Sequence, residues 1–265
     1  MKKVVITVIV LVAVLVGADF GLAAAAEYQV SKKMRSELSL TDDPSVDIHG
    51  FPFITQALAG TYSDISVNAS HVRVQDKLRD VEVDTDLHNV HVGLSDLLSG
   101  HVQSVRIDEV DGRVQILAAD VGRLLGINDL QIIPQSVTTV LGVVAASATH
   151  AGQPVPDGQR AGVELSGTVD IAGQQTKVSV FGLIELDNGS IVVSPKKLDV
   201  SNSLVSGPVA GIVEQQVLSR FNLTLSPSEL PLPFTVRPTA VFVAPDALTV
   251  QGTATNIVLN SGSSF

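Results

Sequence analysis

Histidine and carboxylate side chains are the residues of this chain whose types could bind a metal ion or exchange protons. Two of the six histidines, His88 and His91, lie three residues apart in a predicted strand, so their side chains point to opposite faces. Calcium ligands must converge on one point, whereas neighbours along a straight strand diverge. We therefore expect a solvated face, not a metal site, for the four alternating carboxylates Asp80, Glu82, Asp84 and Asp86.

Signatures of covalent catalysis are missing from the sequence. The chain has no cysteine, which excludes a thiol nucleophile, a disulfide framework and a cysteine-ligated metal. It also lacks G-x-S-x-G, H-E-x-x-H and both glycine-rich phosphate-binding motifs. We therefore predict a protein that is not an enzyme and has no cofactor. A hydrolase or transferase with an unrecognised site is the alternative.

The amino-acid composition limits the kinds of partner that this chain can bind. The 265 residues include 17 Lys plus Arg and 27 Asp plus Glu, which gives a net charge of −10 and argues against a nucleic-acid binder. Hydrophobic residues make up 45% of the chain but aromatic residues only 4%. The apolar content is therefore mostly aliphatic, which favours long strands with a wide aliphatic interior.

The amino terminus, residues 1–26, is typical of a targeting segment. Two lysines precede the apolar run Val4–Val16, which is shorter than the ~20 residues of a spanning helix and fits a secretory signal. Ala24-x-Ala26 is an acceptable cleavage signature. An uncleaved anchor is the competing interpretation, because Asp19 alone breaks the apolar stretch up to Ala26. Both interpretations place the rest of the chain on the extracytoplasmic side, in or on the cell envelope.

The remaining sequence predicts an α+β fold with a mostly antiparallel sheet, because strands follow strands. Helices are expected at Glu27–Leu40 and, with an amphipathic pattern, at Gly207–Asn222. A strand pattern over 81–92 changes parity, which predicts a bulge near His88-Asn89. Further strands are predicted at 102–117, 161–173, 176–187, 190–200, 235–244 and 247–259.

Three short segments predict one or two helical turns, each closed by a glycine: 55–60, 94–100 and 120–126. No linker divides the rest of the chain. We therefore expect a single domain over residues 27–260, followed by a frayed tail at 261–265.

The most unusual segment is Val46–Tyr62, which contains Gly50-Phe51-Pro52-Phe53-Ile54-Thr55-Gln56 and then Gly60 and Tyr62. Pro52 fixes its own φ and favours an extended Phe51. From composition, the segment is either a loop that caps the core or the rim of an apolar pocket. Its residues resemble the signature of the LmeA-like phospholipid-binding proteins of actinobacterial cell envelopes. The targeting segment with Asp19 behind it and the later Leu230-Pro231-Leu232-Pro233-Phe234 agree with that resemblance.

The resemblance implies a curved antiparallel sheet packed against an N-terminal and a C-terminal helix. It also implies an apolar cavity for lipid tails, as in the tubular lipid-binding fold. We expect Phe51 and Phe53 to bracket the entrance of this cavity, with the 207–222 helix and the 230–234 connector as other walls. The candidate lipid-binding residues are Phe51, Pro52, Phe53, Ile54, Leu58, Tyr62, Val209, Val213, Leu232 and Phe234.

The function that this implies is non-enzymatic phospholipid binding that supports envelope glycolipid biogenesis of the lipomannan type. The expected partners are the membrane, a phospholipid (a phosphatidylinositol-type lipid is one candidate) and an envelope glycosyltransferase. The alternative is an envelope scaffold that stabilises a membrane enzyme without carrying lipid, its apolar interior being simply core.

Overall fold

The computed structural model describes residues 2–74, 78–93, 96, 104–145, 158–171, 173–187, 189–200, 210–225 and 236–260. The chain divides into two compact units. Unit 1 comprises Met1–Ser70, Val83–Gly112 and Ala254–Phe265, and unit 2 comprises His71–Glu82 and Arg113–Thr253.

The described residues form helices and antiparallel strands. The helices are α1 (Lys2–Glu37), α2 (Phe53–Ala59), α3 (Ala118–Leu125), α4 (Val137–Ala145) and α5 (Ala210–Arg220). The first six strands are β1 (Ser45–His49), β2 (Thr61–Val74), β3 (Leu78–His91), β4 (Ser104–Leu117), β5 (Gln131–Gln135) and β6 (Arg160–Ile171). The others are β7 (Gln174–Asp187), β8 (Ser190–Val200), β9 (Leu223–Leu225), β10 (Arg237–Ala244) and β11 (Ala247–Asn260).

The strands form two sheets, where the sequence predicted one. A six-stranded sheet has the order β1-β2-β3-β4-β11-β10, and a five-stranded sheet has the order β5-β6-β7-β8-β9. The pairs within the five-stranded sheet, like β1 with β2 and β10 with β11, are antiparallel. The mostly antiparallel α+β class, with α1 near the start and α5 near the end, is therefore confirmed.

The predicted change of parity in β3 is confirmed. Val81, at an odd-numbered position, and Val90, at an even-numbered position of the same strand, are both buried. Between them Asn89 has a φ of 52°, in the left-handed region that asparagine tolerates better than most residues. This local twist returns the apolar side chains to the interior, as the pattern required.

Two of the three predicted short helices are confirmed, as α2 and α3. Each ends on a glycine in the left-handed conformation, Gly60 with a φ of 66° and Gly126 with a φ of 73°. Glycine adopts this conformation without the penalty that a Cβ would bring, which is why it stops the helix there. The third segment, 94–100, lies almost entirely outside the described residues.

Unit 2 has an aliphatic core. Strand β10 packs against β5, β6 and β7, and α5 packs against β8. The core is formed by Ile116, Ala118, Val121, Ile127, Leu130, Ile132, Val163, Leu165, Val169, Val178, Val180, Ile184, Val193, Val217, Phe221 and Val241. Phe221 is the only aromatic residue in this cluster, so the expected aliphatic interior is present in unit 2.

One glycine in this unit allows a close approach of two backbone segments. The Gly122 carbonyl accepts a hydrogen bond of 2.8 Å from the Ile127 N–H, and a Cβ on Gly122 would lie 2.3 Å from the Ile127 oxygen. We expect Gly122→Ala to lower the free energy of unfolding by roughly 1–3 kcal/mol or more. The matched control is Gly142→Ala in α4, where a Cβ meets nothing within 4 Å. There alanine should stabilise the helix by about 0.5–1 kcal/mol. Equal midpoints of denaturant unfolding for the two variants would contradict this account.

Candidate functional site

The acidic row of β3 and the histidines near it were the first candidates for chemistry. Glu82, Asp84 and Asp86 are exposed, as expected for a solvated face, whereas Asp80 is half-buried and lies 3.5 Å from the Arg123 guanidinium. Among the described residues, no group of three or more His, Asp or Glu side chains could hold a metal ion. The histidines have carboxylate neighbours that the sequence pattern did not indicate. His88 lies 3.5 Å from Asp64 and 3.4 Å from Asp111, and His91 lies 3.4 Å from Asp108.

The segment around Phe51 lies in unit 1, between β1 and α2. The Phe51 side chain is 60% exposed, and its ring stacks on that of Phe20 in α1 at a centroid distance of 5.9 Å. Pro52 follows in an extended conformation through a cis peptide bond and occupies the N-cap position of α2. On α2 itself, Ile54 is half-buried and Leu58 is 73% exposed.

Phe53 and Tyr62 form the buried side of the same segment. Phe53 is 7% exposed and Tyr62 is 2% exposed, and their ring centroids are 6.1 Å apart. Burial raises the pKa of the Tyr62 phenol, because desolvation disfavours the charged form. The structure thus brings Phe53 and Tyr62 together inside unit 1 and leaves Phe51 and Leu58 exposed.

Asp19 connects α1 to α2. Its two carboxylate oxygens accept hydrogen bonds of 2.8 Å from the backbone N–H groups of Phe53 and Ile54. Pro52 provides no side-chain cap, so Asp19 satisfies two N–H groups that the start of α2 would otherwise leave unpaired. The Asp19 side chain is only 4% exposed. The sequence marked this aspartate as a break in an apolar run but did not indicate its partner.

The second half of α1 is held by polar contacts to β1 and the turn before it. Glu27 accepts a hydrogen bond of 2.9 Å from the Ile48 N–H, and Ser31 donates one of 2.6 Å to the Pro44 carbonyl. The hydrogen bond with Lys32, at 2.5 Å, lowers the pKa of Asp43 and raises that of the lysine. These contacts lie beyond residue 26 and therefore do not depend on the targeting segment.

Unit 2 contains an apolar pocket between helices and strands. Its lining comes from α3, from the strands β6, β7, β8, β9 and β11, and from Phe221 just after α5. The residues are Val121, Leu125, Leu165, Ile184, Val193, Phe221, Leu223 and Leu248. Every one is a hydrocarbon side chain, so the pocket offers neither a charge nor a hydrogen bond to a ligand. It suits an acyl tail and not a headgroup.

The pocket is small for a lipid. The cavity volume is about 10 Å³, room for roughly one water molecule. Ligand sites in proteins usually measure ~300–1,000 Å³. A long acyl chain therefore requires the walls to separate.

The candidate residues near the carboxyl terminus are only partly described. Val209, Leu232 and Phe234 lie outside the described residues, and so does the Val213 side chain. On α5 and just beyond it, Val217 and Phe221 are buried, whereas Glu214 is exposed. The predicted apolar stripe of this helix is therefore confirmed where it is described.

Most pocket residues were missed by the sequence analysis. Each appears in its strand or helix as an ordinary apolar core position, and no local pattern separates a pocket wall from a core contact. Phe221 is the exception, because it lies on the predicted stripe of the 207–222 helix.

Comparison with known proteins gives the family. A search of curated proteins and a search of solved structures each found no match. The family model described as LmeA-like phospholipid-binding matches residues 17–253, nearly the whole chain and including Asp19 and Phe20. The chain belongs to the LmeA-like phospholipid-binding family.

Proposed function

We propose that this protein is a non-enzymatic phospholipid-binding protein of the cell envelope that holds acyl chains in the unit 2 pocket. The observation that carries the proposal is the lining itself, which is entirely aliphatic or aromatic. Burial of hydrocarbon contributes about 0.8 kcal/mol per CH₂, so a tail needs only shape and dryness from its site. A headgroup stays at the mouth, in contact with water.

The Phe51 segment belongs to the same proposal as a second place of lipid contact. Phe51 and Leu58 are exposed apolar side chains that can touch lipid directly. Phe53 and Tyr62 hold the segment in place from within unit 1. The exposed Pro52 and the half-buried Ile54 belong to the same proposed contact with lipid. For the carboxyl-terminal candidates Val209, Val213, Leu232 and Phe234, lipid contact follows from the family resemblance alone. Residues 27–260 are taken as one lipid-binding domain.

The cellular setting is proposed from α1 and from the family. Within α1, Val5–Glu37 is long and apolar enough to cross a membrane, which suits an extracytoplasmic protein that is secreted or anchored. In more detail, we propose that the protein supports the synthesis of a lipomannan-type glycolipid. Its ligand would be a phosphatidylinositol-type lipid and its protein partner a glycosyltransferase.

A scaffold role is the second candidate, and the pocket volume favours it. With a cavity volume of about 10 Å³, the pocket resembles a packing defect in a core more than an open lipid site. In that case the protein stabilises a membrane enzyme and carries no lipid.

Native mass spectrometry of the full chain, extracted from membranes in a mild detergent, separates the two functions. We expect a mass increase that matches one or two phospholipids, identified by lipid analysis of the same sample. A lipid-free mass together with a stoichiometric protein partner would replace lipid binding with the scaffold role.

A further inference from the structure

We propose that α1 stays attached as a membrane anchor, and that Asp19 fixes α2 against it so that Phe51 lies in the outer interface of the bilayer. The surface concerned is the corner patch, which we define as the stacked rings of Phe20 and Phe51. Its partner is a lipid membrane. This inference concerns unit 1 and does not depend on tail binding in the unit 2 pocket.

The depth of the corner patch follows from helix geometry. Phe20 lies sixteen residues after Val4, which is about 24 Å along a helix that rises 1.5 Å per residue. The hydrocarbon core of a bilayer is ~30 Å thick. Long lysine side chains at positions 2 and 3 can reach back to the inner surface and cover the difference. Phe20 therefore lies close to the outer boundary of the hydrocarbon, and Phe51, stacked on it, lies at the same level.

The charge distribution around the corner patch agrees with this depth. Residues 50–62 contain no charged side chain, and residues 4–26 contain only Asp19. A carboxylate at membrane depth is costly unless it has partners. Both oxygens of Asp19 accept backbone hydrogen bonds from α2, and the side chain is almost fully buried. Asp19 is thus satisfied within the protein, and the surface around it remains apolar.

Retention of α1 follows from the same contacts. Cleavage after Ala26 would remove Asp19 and Phe20 together, and would leave the buried N–H of Phe53 without its acceptor. A buried donor that loses its partner is destabilising. Independently, the family match begins at residue 17, ten residues before the position where a cleaved chain would start. A segment that is discarded after export would need neither the hydrogen bonds of Asp19 to α2 nor a place in the family match.

The first test uses the absence of tryptophan from the chain. Phe51→Trp introduces a single tryptophan, and Leu38→Trp is the matched control in the same unit, since Leu38 is an exposed apolar residue directly after α1 and lies roughly 25 Å beyond Phe20 along that helix. Each full-length variant is reconstituted into vesicles of phosphatidylcholine and phosphatidylglycerol that contain lipid brominated near the carboxyl end of its acyl chains. We expect strong quenching for Phe51→Trp and little for Leu38→Trp. Equal quenching of the two, or none for Phe51→Trp, would overturn the placement of Phe51.

The second test removes the Asp19 contact. In the Phe51→Trp background, Asp19→Ala should lower the ratio of docked to undocked α2 by about tenfold or more, because each charge-assisted hydrogen bond contributes about that factor. Bromolipid quenching should fall accordingly while the chain remains in the vesicles. Unchanged quenching would show that Asp19 does not position α2.

The intact mass of the wild-type chain, extracted from membranes of an actinobacterial host, tests retention separately. We expect the full 27.7 kDa. A mature chain that begins at Glu27 would overturn the anchor. Neither result depends on whether lipid copurifies in the pocket, so this inference and the proposed function can fail independently.

Discussion

Phe53→Ala should lower the free energy of unfolding by ~3–5 kcal/mol, the range for truncating a buried phenylalanine. The ring is 7% exposed and contacts that of Tyr62 inside unit 1, so alanine leaves a cavity there. Phe51→Ala should cost only about 1 kcal/mol, because its ring is 60% exposed and loses mainly the stack on Phe20. The two phenylalanines lie only two residues apart, but one ring is exposed and the other is buried.

Two measurements on delipidated and lipid-loaded protein separate the roles of these rings. The midpoint of thermal unfolding should fall strongly for Phe53→Ala and slightly for Phe51→Ala. Lipid bound per folded protein should fall more for Phe51→Ala. Phe53→Leu, which keeps much of the apolar volume, should recover most of the stability lost in Phe53→Ala. A large loss of lipid at an unchanged midpoint for Phe53→Ala would instead make Phe53 a wall of a lipid site.

The strands of this fold could be predicted because their sequence signals are local. Alternating apolar residues bounded by turn residues predicted 102–117 and 190–200, and the structure has β4 and β8 within two residues of those limits. Helix α4 was missed because Val137–Ala145 is a short, almost wholly apolar run, in which helical and strand periods cannot be told apart. Strand β5 contains Pro134, which is tolerated because β5 forms an edge of its sheet.

The division into two sheets could not be predicted, because it depends on pairing between distant segments. Strand β4 has β11 as its neighbour in the sheet, although more than a hundred residues separate them in the chain. No local pattern records that choice. The pocket has the same origin, since its eight lining residues come from one helix, five strands and the position just after α5, which only the folded chain brings together.

The candidate residues near Phe51 could be found because their composition is unusual: two phenylalanines on either side of a proline stand out in a chain with few aromatic residues. Which of the two phenylalanines is buried and which is exposed could not be predicted from the sequence. Whether a ring at 51 or 53 faces inward depends on α1, which reaches the segment through Asp19 and Phe20 from more than thirty residues away.

Enlarging one wall of the unit 2 pocket tests whether the pocket holds lipid at all. Leu248 lines the pocket from β11 and is half-buried, so Leu248→Trp should fill part of the space without the full penalty of overpacking a closed core. Each CH₂ excluded from the pocket loses about 0.8 kcal/mol of binding, so displacing two of them weakens lipid binding by roughly tenfold. Lipid per protein, measured by native mass spectrometry of membrane-extracted protein, should fall accordingly.

The matched control for this variant is Val250→Trp. Val250 lies two residues further along the same strand, is also half-buried and packs against the same core, but does not line the pocket. Both variants should lower the thermal midpoint, because a larger side chain in either place strains the packing. Only Leu248→Trp should also reduce the lipid carried by the folded fraction, because only there does the new ring occupy space that a tail would fill. If both variants retain lipid equally, the tails lie elsewhere, with the exposed Phe51 segment as the next place to search. If neither variant nor the wild type carries lipid, the aliphatic interior of unit 2 is a core, and the scaffold role accounts for the protein better than lipid binding does.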